Sequence, residues 1–171
     1  ISTFTCSDPQ AVFVFPAGTG LGGNEAMLGN GTHGFLLDTR VTGDLTVTVR
    51  VSDGSGHSVQ RQCTVTSRYP KFSAMVQTMS SAALYSDSPM TLIIRSTEYA
   101  GDYTVSYTTT STNCRVSYGG SMLRPDSPVT LEAGQHIFTA NSSYAERTEF
   151  IFTITDIYGQ SQQAQASITW R

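Results

Sequence analysis

A chain of 171 residues with 39% hydrophobic and 13% charged side chains can bury a core in one or two soluble domains. A net charge of −3, with Lys71 the lone lysine, excludes the basic patch that binding to nucleic acid or anionic lipid needs. The longest apolar runs, roughly five residues, fall far short of a membrane span.

In chain order, the sequence opens at Ile1 with neither Met nor a signal-peptide pattern, so the expectation is of a mature or trimmed form of a longer product. Pro16 to Gly34 is glycine-rich and reads Ala17-Gly18-Thr19-Gly20-Leu21-Gly22-Gly23. It has Gly-x-Gly spacing but no Lys-Ser/Thr and no following helix, which argues for a flexible loop over a phosphate cradle. Asn30-Gly31-Thr32, like Asn141-Ser142-Ser143 later, matches the glycosylation sequon, a pattern too short to carry weight. Asp53-Gly54-Ser55-Gly56 predicts a hairpin turn: Asp bonds backbone N–H groups ahead of it, and Gly takes the left-handed position that closes the turn. One carboxylate in such a loop is too few oxygens for calcium. His57 with Asp53, Ser55 and Ser58 supplies the letters of a catalytic triad, but crowded into one turn they cannot take up its geometry. Cys63 alternates in phase with Val59 and Val65 and is expected to face inward as a small buried hydrophobe. A Cys6–Cys63 bridge is conceivable in an oxidising compartment.

Sliding the chain against itself by 103 positions, as from His33 to His136, aligns residues 1–68 with 104–171 without a gap. Leu28, Gly31, His33 and Phe35 meet Leu131, Gly134, His136 and Phe138; Asp53, Gly56, Ser58, Gln60, Gln62, Thr66 and Arg68 meet Asp156, Gly159, Ser161, Gln163, Gln165, Thr169 and Arg171. The chain therefore reads as an incomplete module at 1–68 and a complete one at 69–171, joined by the stiff Ser67-Arg68-Tyr69-Pro70-Lys71. The incomplete module lacks any counterpart of residues 69–103, about two strands. Their absence is expected to leave a sheet edge unpaired and Phe13, Phe15 and Phe35 uncovered. Upstream strands of a longer chain are the preferred source of the missing cover, and β-strand addition by a partner chain is the other.

In the complete copy, period-2 alternation predicts strands near 72–79, 90–96, 103–109, 113–118, 127–132, 136–140, 147–156 and 160–170. Ser88-Pro89, Ala100-Gly101-Asp102, Gly119-Gly120 and Arg124-Pro125-Asp126 separate them. Asp156-Ile157-Tyr158-Gly159 repeats the hairpin turn of the first copy. This many short strands in one copy matches an immunoglobulin-like β-sandwich. Cys114 is expected to be buried, and His33 and His136 to be structural; no His or Cys pair has metal-ligand spacing, so no metal or cofactor is expected.

Tyr103-Thr104-Val105-Ser106-Tyr107, Pro128-Val129-Thr130-Leu131-Glu132, Phe138 and Asp156-Ile157-Tyr158-Gly159-Gln160, in that order, resemble the TraQ-like family of Bacteroidales conjugative transposons. The resemblance covers most of the second copy and, more faintly, the first. It implies an immunoglobulin-like sandwich exported as a lipoprotein or envelope protein, a role in conjugal transfer, and no catalytic residues to carry over. The run Val47 to Asp53 is also similar to the end of polycystic-kidney-disease-type surface modules, a likeness of fold only.

The function expected is therefore a non-enzymatic cell-envelope or surface module, structural or binding, with protein partners engaged through sheet edges or loops. Two other classes compete with it. A carbohydrate-binding or enzyme-accessory module would present aromatics along one face, and the lone Trp170 on the terminal strand speaks against it. A phage or pilus component could use the same sandwich.

Overall fold

The computed structural model describes residues 1–125 and 127–171. The described residues are all-β and fall into two compact units, Ile1–Tyr69 and Pro70–Arg171.

The first unit contains β1 (Ser2–Cys6), β2 (Val12–Val14), β3 (Gly20–Gly22), β4 (Glu25–Ala26), β5 (Leu36–Asp38), β6 (Gly43–Ser52) and β7 (Ser58–Ser67). One sheet runs β3-β4-β1-β6-β7, and β2 pairs only with β5. The glycine-rich stretch is thus a loop only in part, since residues 27–34 carry no strand. Its Gly20–Gly22 and Glu25–Ala26 form a bulged antiparallel pair that extends the sheet at β1. Glycine is required there because Gly22 and Gly23 sit at φ 113° and 55°.

The second unit adds β8 (Phe72–Thr78), β9 (Ser81–Ala82), β10 (Ser88–Ser96), β11 (Tyr103–Thr109), β12 (Cys114–Tyr118), β13 (Ser121–Leu123), β14 (Val129–Leu131), β15 (Gly134–Ser142), β16 (Arg147–Thr155) and β17 (Ser161–Trp170). Two five-stranded sheets, β13-β12-β15-β10-β8 and β14-β11-β16-β17-β9, make a β-sandwich. Inward positions alternate along each strand, so Met90, Leu92, Ile94, Val116, Phe138 and Ala140 of one sheet meet Val105, Tyr107, Phe150, Phe152, Ile154 and Ile168 of the other in one core. Gly119 and Gly120, at φ 58° and 81°, make the two-residue turn between β12 and β13 that only a pair of left-handed residues closes this tightly. Pro89 lies inside β10 instead of ahead of it. Pairing with β8 begins only at Met90, so no ladder bond to β8 is lost at the proline. Of the Arg124-Pro125-Asp126 turn, Asp126 lies outside the described residues; Ser127 N–H closes back on the Arg124 carbonyl at 3.1 Å.

Three backbone ladders of the two units, β1–β6 with β11–β16, β6–β7 with β16–β17 and β2–β5 with β12–β15, coincide at the 103-residue offset. Ser2 pairs with Val51 as Val105 pairs with Ile154, Phe4 with Val49 as Tyr107 with Phe152, Val47 with Cys63 as Phe150 with Ala166, and Phe13 with Leu37 as Val116 with Ala140. A one-residue slip would turn every inward side chain to solvent, which is why register follows the apolar pattern.

The units differ in what covers those ladders. In the second, β10 lies between β15 and β8, and β8 runs beside β17. In the first, nothing among the described residues pairs with the free edge of β5. On β7, Val65 is 39% exposed where its counterpart Ile168 is 0% exposed. Cys63, expected to be buried, is exposed for the same reason: it faces the correct side of its sheet, but no second layer among the described residues lies over it. The expectation for the phenylalanines is also corrected. Phe13 is buried, Phe15 and Phe35 are half-buried, and every pair among Phe4, Phe13, Phe15 and Phe35 has ring centroids between 4.9 and 6.4 Å apart. The four rings shield one another in tilted, edge-on and stacked contacts, which also carry favourable quadrupole interactions.

Two buried polar groups of the second unit make opposite predictions. Trp170 Nε1–H donates to Thr148 Oγ1 at 3.1 Å inside the core. Thr148→Val orphans that donor and is expected to lower stability by about 1–3 kcal/mol. The Tyr103 hydroxyl is buried with no hydrogen-bond partner among the described residues. Tyr103→Phe is therefore expected to raise stability, by about 1 kcal/mol. Urea denaturation of both variants checks the pair of signs.

Candidate functional site

The turn residues that resemble a triad are an architectural device. Asp53 Oδ1 accepts the N–H groups of Ser55 and His57 at 2.8 and 2.9 Å, and the His57 ring Nδ1 lies 2.9 Å from Asp53 Oδ2. At the equivalent turn, Asp156 Oδ1 accepts the N–H groups of Tyr158 and Gln160, both at 2.9 Å, and Gln160 Nε2 donates to Asp156 Oδ2 at 2.6 Å. His57 and Gln160 thus do one job, donating to the second oxygen of the turn aspartate. Gly56 and Gly159, at φ 88° and 82°, complete the two turns. Ser58, the remaining triad letter, accepts from Arg50 at 3.3 Å.

His33 and His136 also repeat one contact, each ring Nε2 reaching a carbonyl four residues back, Gly29 at 2.7 Å and Glu132 at 2.8 Å. For the neutral ring of His136, Nε2–H donates to that carbonyl and Nδ1 accepts from the Tyr118 hydroxyl at 3.1 Å. Both ring nitrogens are committed to structure.

The three cysteines are free. Cys6 and Cys63 both stand opposite Val47, one on each side of β6. Two inter-strand spacings, about 9–10 Å, separate them, beyond the Cα reach of a disulfide, so the conceivable Cys6–Cys63 bridge is ruled out. Cys114 is buried, and burial pushes its thiol pKa up to about 11. No group of three or more His, Cys, Asp or Glu able to hold a metal occurs among the described residues, and no helix is long and apolar enough to cross a membrane.

The remaining candidate is a surface: the free edge of β5 in the first unit with the uncovered inner face of β7 beside Val65 and Cys63. The alternating pattern could not reveal this surface. Inward and outward faces can be read from it, but whether a second layer lies on the inward face cannot.

Two measurements follow. Labelling of the folded chain by iodoacetamide at about pH 8 is expected to modify Cys63 first and Cys114 only on unfolding, since the thiolate is the reactive form. In the first unit, the His57 ring and the N–H groups of His57 and Ser55 hold the Asp53 carboxyl below its ordinary 3.8, and Thr39 Oγ1 and the Gln10 N–H do the same for Asp8. A carboxylate with a lowered folded pKa contributes fully above the unfolded value and loses that contribution as pH falls through the folded one. Acid titration is therefore expected to weaken this unit below about pH 4, and Asp53→Asn to flatten the pH dependence.

No protein-family model matches the chain, and no curated protein sequence does. Among solved structures, the chain is similar to a conjugative transposon lipoprotein from Bacteroides eggerthii, with a TM-score of 0.52 and 15% identity over 59% of this chain and 98% of that one. A lipoprotein from Bacteroides thetaiotaomicron gives a TM-score of 0.51 and 16% identity over 61% of this chain and 83% of that one. At such identities the likeness is one of fold, over about three-fifths of this chain.

Proposed function

We propose that residues 1–68 and 69–171 are two immunoglobulin-like modules in tandem, the first open, and that they serve as a non-enzymatic structural or binding element of a bacterial cell envelope with a part in conjugal transfer. The observation that carries this reading is the pair of coincident ladders, one covered by β8 and β10 and one bare. Likeness in fold to two Bacteroides lipoproteins, one described as a conjugative transposon lipoprotein, supports the envelope and transfer parts of it. The share matched, 59% and 61% of this chain, is about the length of residues 70–171.

The open module acts in this reading as a strand acceptor. Strands equivalent to β10 and β8 would add antiparallel along β5 and lay apolar side chains over Val65 and the phenylalanine cluster, the geometry of β-strand addition. A longer polypeptide or a partner protein could supply them. Main-chain hydrogen bonds would give the affinity and the alternate apolar positions the specificity.

Hydrogen exchange tests the reading through strands 44–51 and 147–154. Weak protection of the first set in dilute solution, rising with protein concentration, is expected if another chain completes the module. Equal, high protection of both sets in a dilute monomer would sink the acceptor role. A screen against ester, glycoside and peptide substrates tests the non-enzymatic part. Turnover that disappears in His57→Ala or His136→Ala would overturn it.

A further inference from the structure

Tyr85 is the one non-glycine residue with positive φ among the described residues, at 59°. It is the third residue of a turn that Ser86 closes on the Ala83 carbonyl through both its N–H, at 3.4 Å, and its Oγ, at 2.6 Å. Gly or Asn ordinarily takes that position, because a Cβ crowds the backbone there. The backbone is held in place by Tyr85 N–H donating to the Ser142 carbonyl at 2.9 Å. The ring itself contributes little to the core, since Tyr85 is 75% exposed. A strained, exposed tyrosine has no folding rationale, and such outliers gather at binding sites.

The ring lines an open cavity of about 370 Å³ on the outer face of the sheet formed by β12 and β15. Outward residues of those strands, Arg115 and Ser117 on β12 and Thr139 and Asn141 on β15, line it together with Asp87. Asn141 Nδ2 donates to Asp87 Oδ1 at 2.9 Å, which presents an amide and a carboxylate side by side. The sheet does not impose this polarity. At the matching positions of the first unit stand Val12, Val14, Leu36 and Asp38, in the same register, with Val12, Val14 and Leu36 all exposed.

We infer that this cavity is a binding site for a neutral sugar, one pyranose unit of an oligosaccharide. Asp87 and Arg115 are of opposite sign, so the lining selects for neither a metal nor a phosphate. A pyranose has an apolar C–H face that packs on an aromatic ring and a rim of hydroxyls that both donate and accept. The cavity offers the ring of Tyr85 for the first, and Asp87, Asn141, Arg115, Ser117 and Thr139 for the second. Its volume lies at the lower end of the range for small-molecule sites. The inference is independent of the strand-acceptor reading, because every residue it uses belongs to the covered unit.

The test is an amide chemical-shift titration of the full 171-residue chain with the hexaoses of α-linked and β-linked glucose, xylose, mannose, galactose and N-acetylglucosamine, each to about 10 mM, enough to detect millimolar binding. Saturable shifts at Arg115, Ser117, Thr139 and Asn141 are expected with at least one of them. Tyr85→Gly is expected to weaken that binding by about tenfold or more while raising Tm, because it relieves the positive φ. Loss of affinity then cannot come from misfolding. Tyr85→Phe keeps the ring and is expected to bind within about twofold of the parent. No saturable shift with any of the six, or affinity unchanged in Tyr85→Gly, overturns the assignment.

Discussion

An amphipathic sheet is stable only when a second layer covers its apolar face, and the difference between the two units lies in how far that condition is met. In the second unit β8 and β10 bring Phe72, Ala74, Val76, Met90, Leu92 and Ile94 to the shared core, and Ile168 and Trp170 on the terminal strand disappear beneath the layer. In the first unit the equivalent strand β7 pairs with β6 in the same register and follows the same turn, yet every residue of β7 but its last is exposed. The β6–β7 and β16–β17 ladders are therefore equivalent, and what separates the two units is the added pairing of β10, β8 and β9 in the second and the side-chain burial that comes with it. Burial of a Val- or Ile-sized side chain contributes roughly 1.5–3 kcal/mol, so a few uncovered positions amount to a large fraction of a domain's net stability.

The phenylalanine cluster shows how the first unit manages with a partial cover. Phe4, Phe13, Phe15 and Phe35 stand at the positions of Tyr107, Val116, Tyr118 and Phe138 in the second unit. Three of those four sites are aromatic in both units. The first unit has Phe at all of them, without hydroxyls that would need partners, whereas Tyr107 and Tyr118 in the second donate to the Leu123 carbonyl and bond His136. An all-Phe cluster can close on itself, because it buries no hydroxyl that needs a partner.

The outward face of the β2–β5 pair differs in chemistry from that of the β12–β15 pair. Register and turn chemistry are shared, since any slip there reverses the whole pattern of burial. The face carrying Val12, Val14 and Leu36 in one unit and Arg115, Ser117 and Thr139 in the other faces solvent in both. Nothing in the sandwich core depends on those positions, and so they are where a ligand surface can be built on a common scaffold.

Much of the fold was legible in the chain. Alternation located the long strands, Asp53 with Gly56 and Asp156 with Gly159 marked the two hairpin turns, and the 103-residue offset matches the register of three ladders, β1–β6, β6–β7 and β2–β5, with that of their counterparts. These features are local: a side chain's face follows from its parity along the strand, and a turn aspartate bonds N–H groups two and four residues ahead. Burial and proximity were decided by tertiary structure. Cys63 has the parity of a core residue and is exposed; Cys6 shares a sheet with it but stands two strands away; the glycine-rich stretch pairs as β3 and β4; and Tyr85 takes a glycine's place in a turn beside residues far along the chain. Each depends on which strand or layer arrives from a distant part of the chain, and parity and turn chemistry carry no information about that arrival.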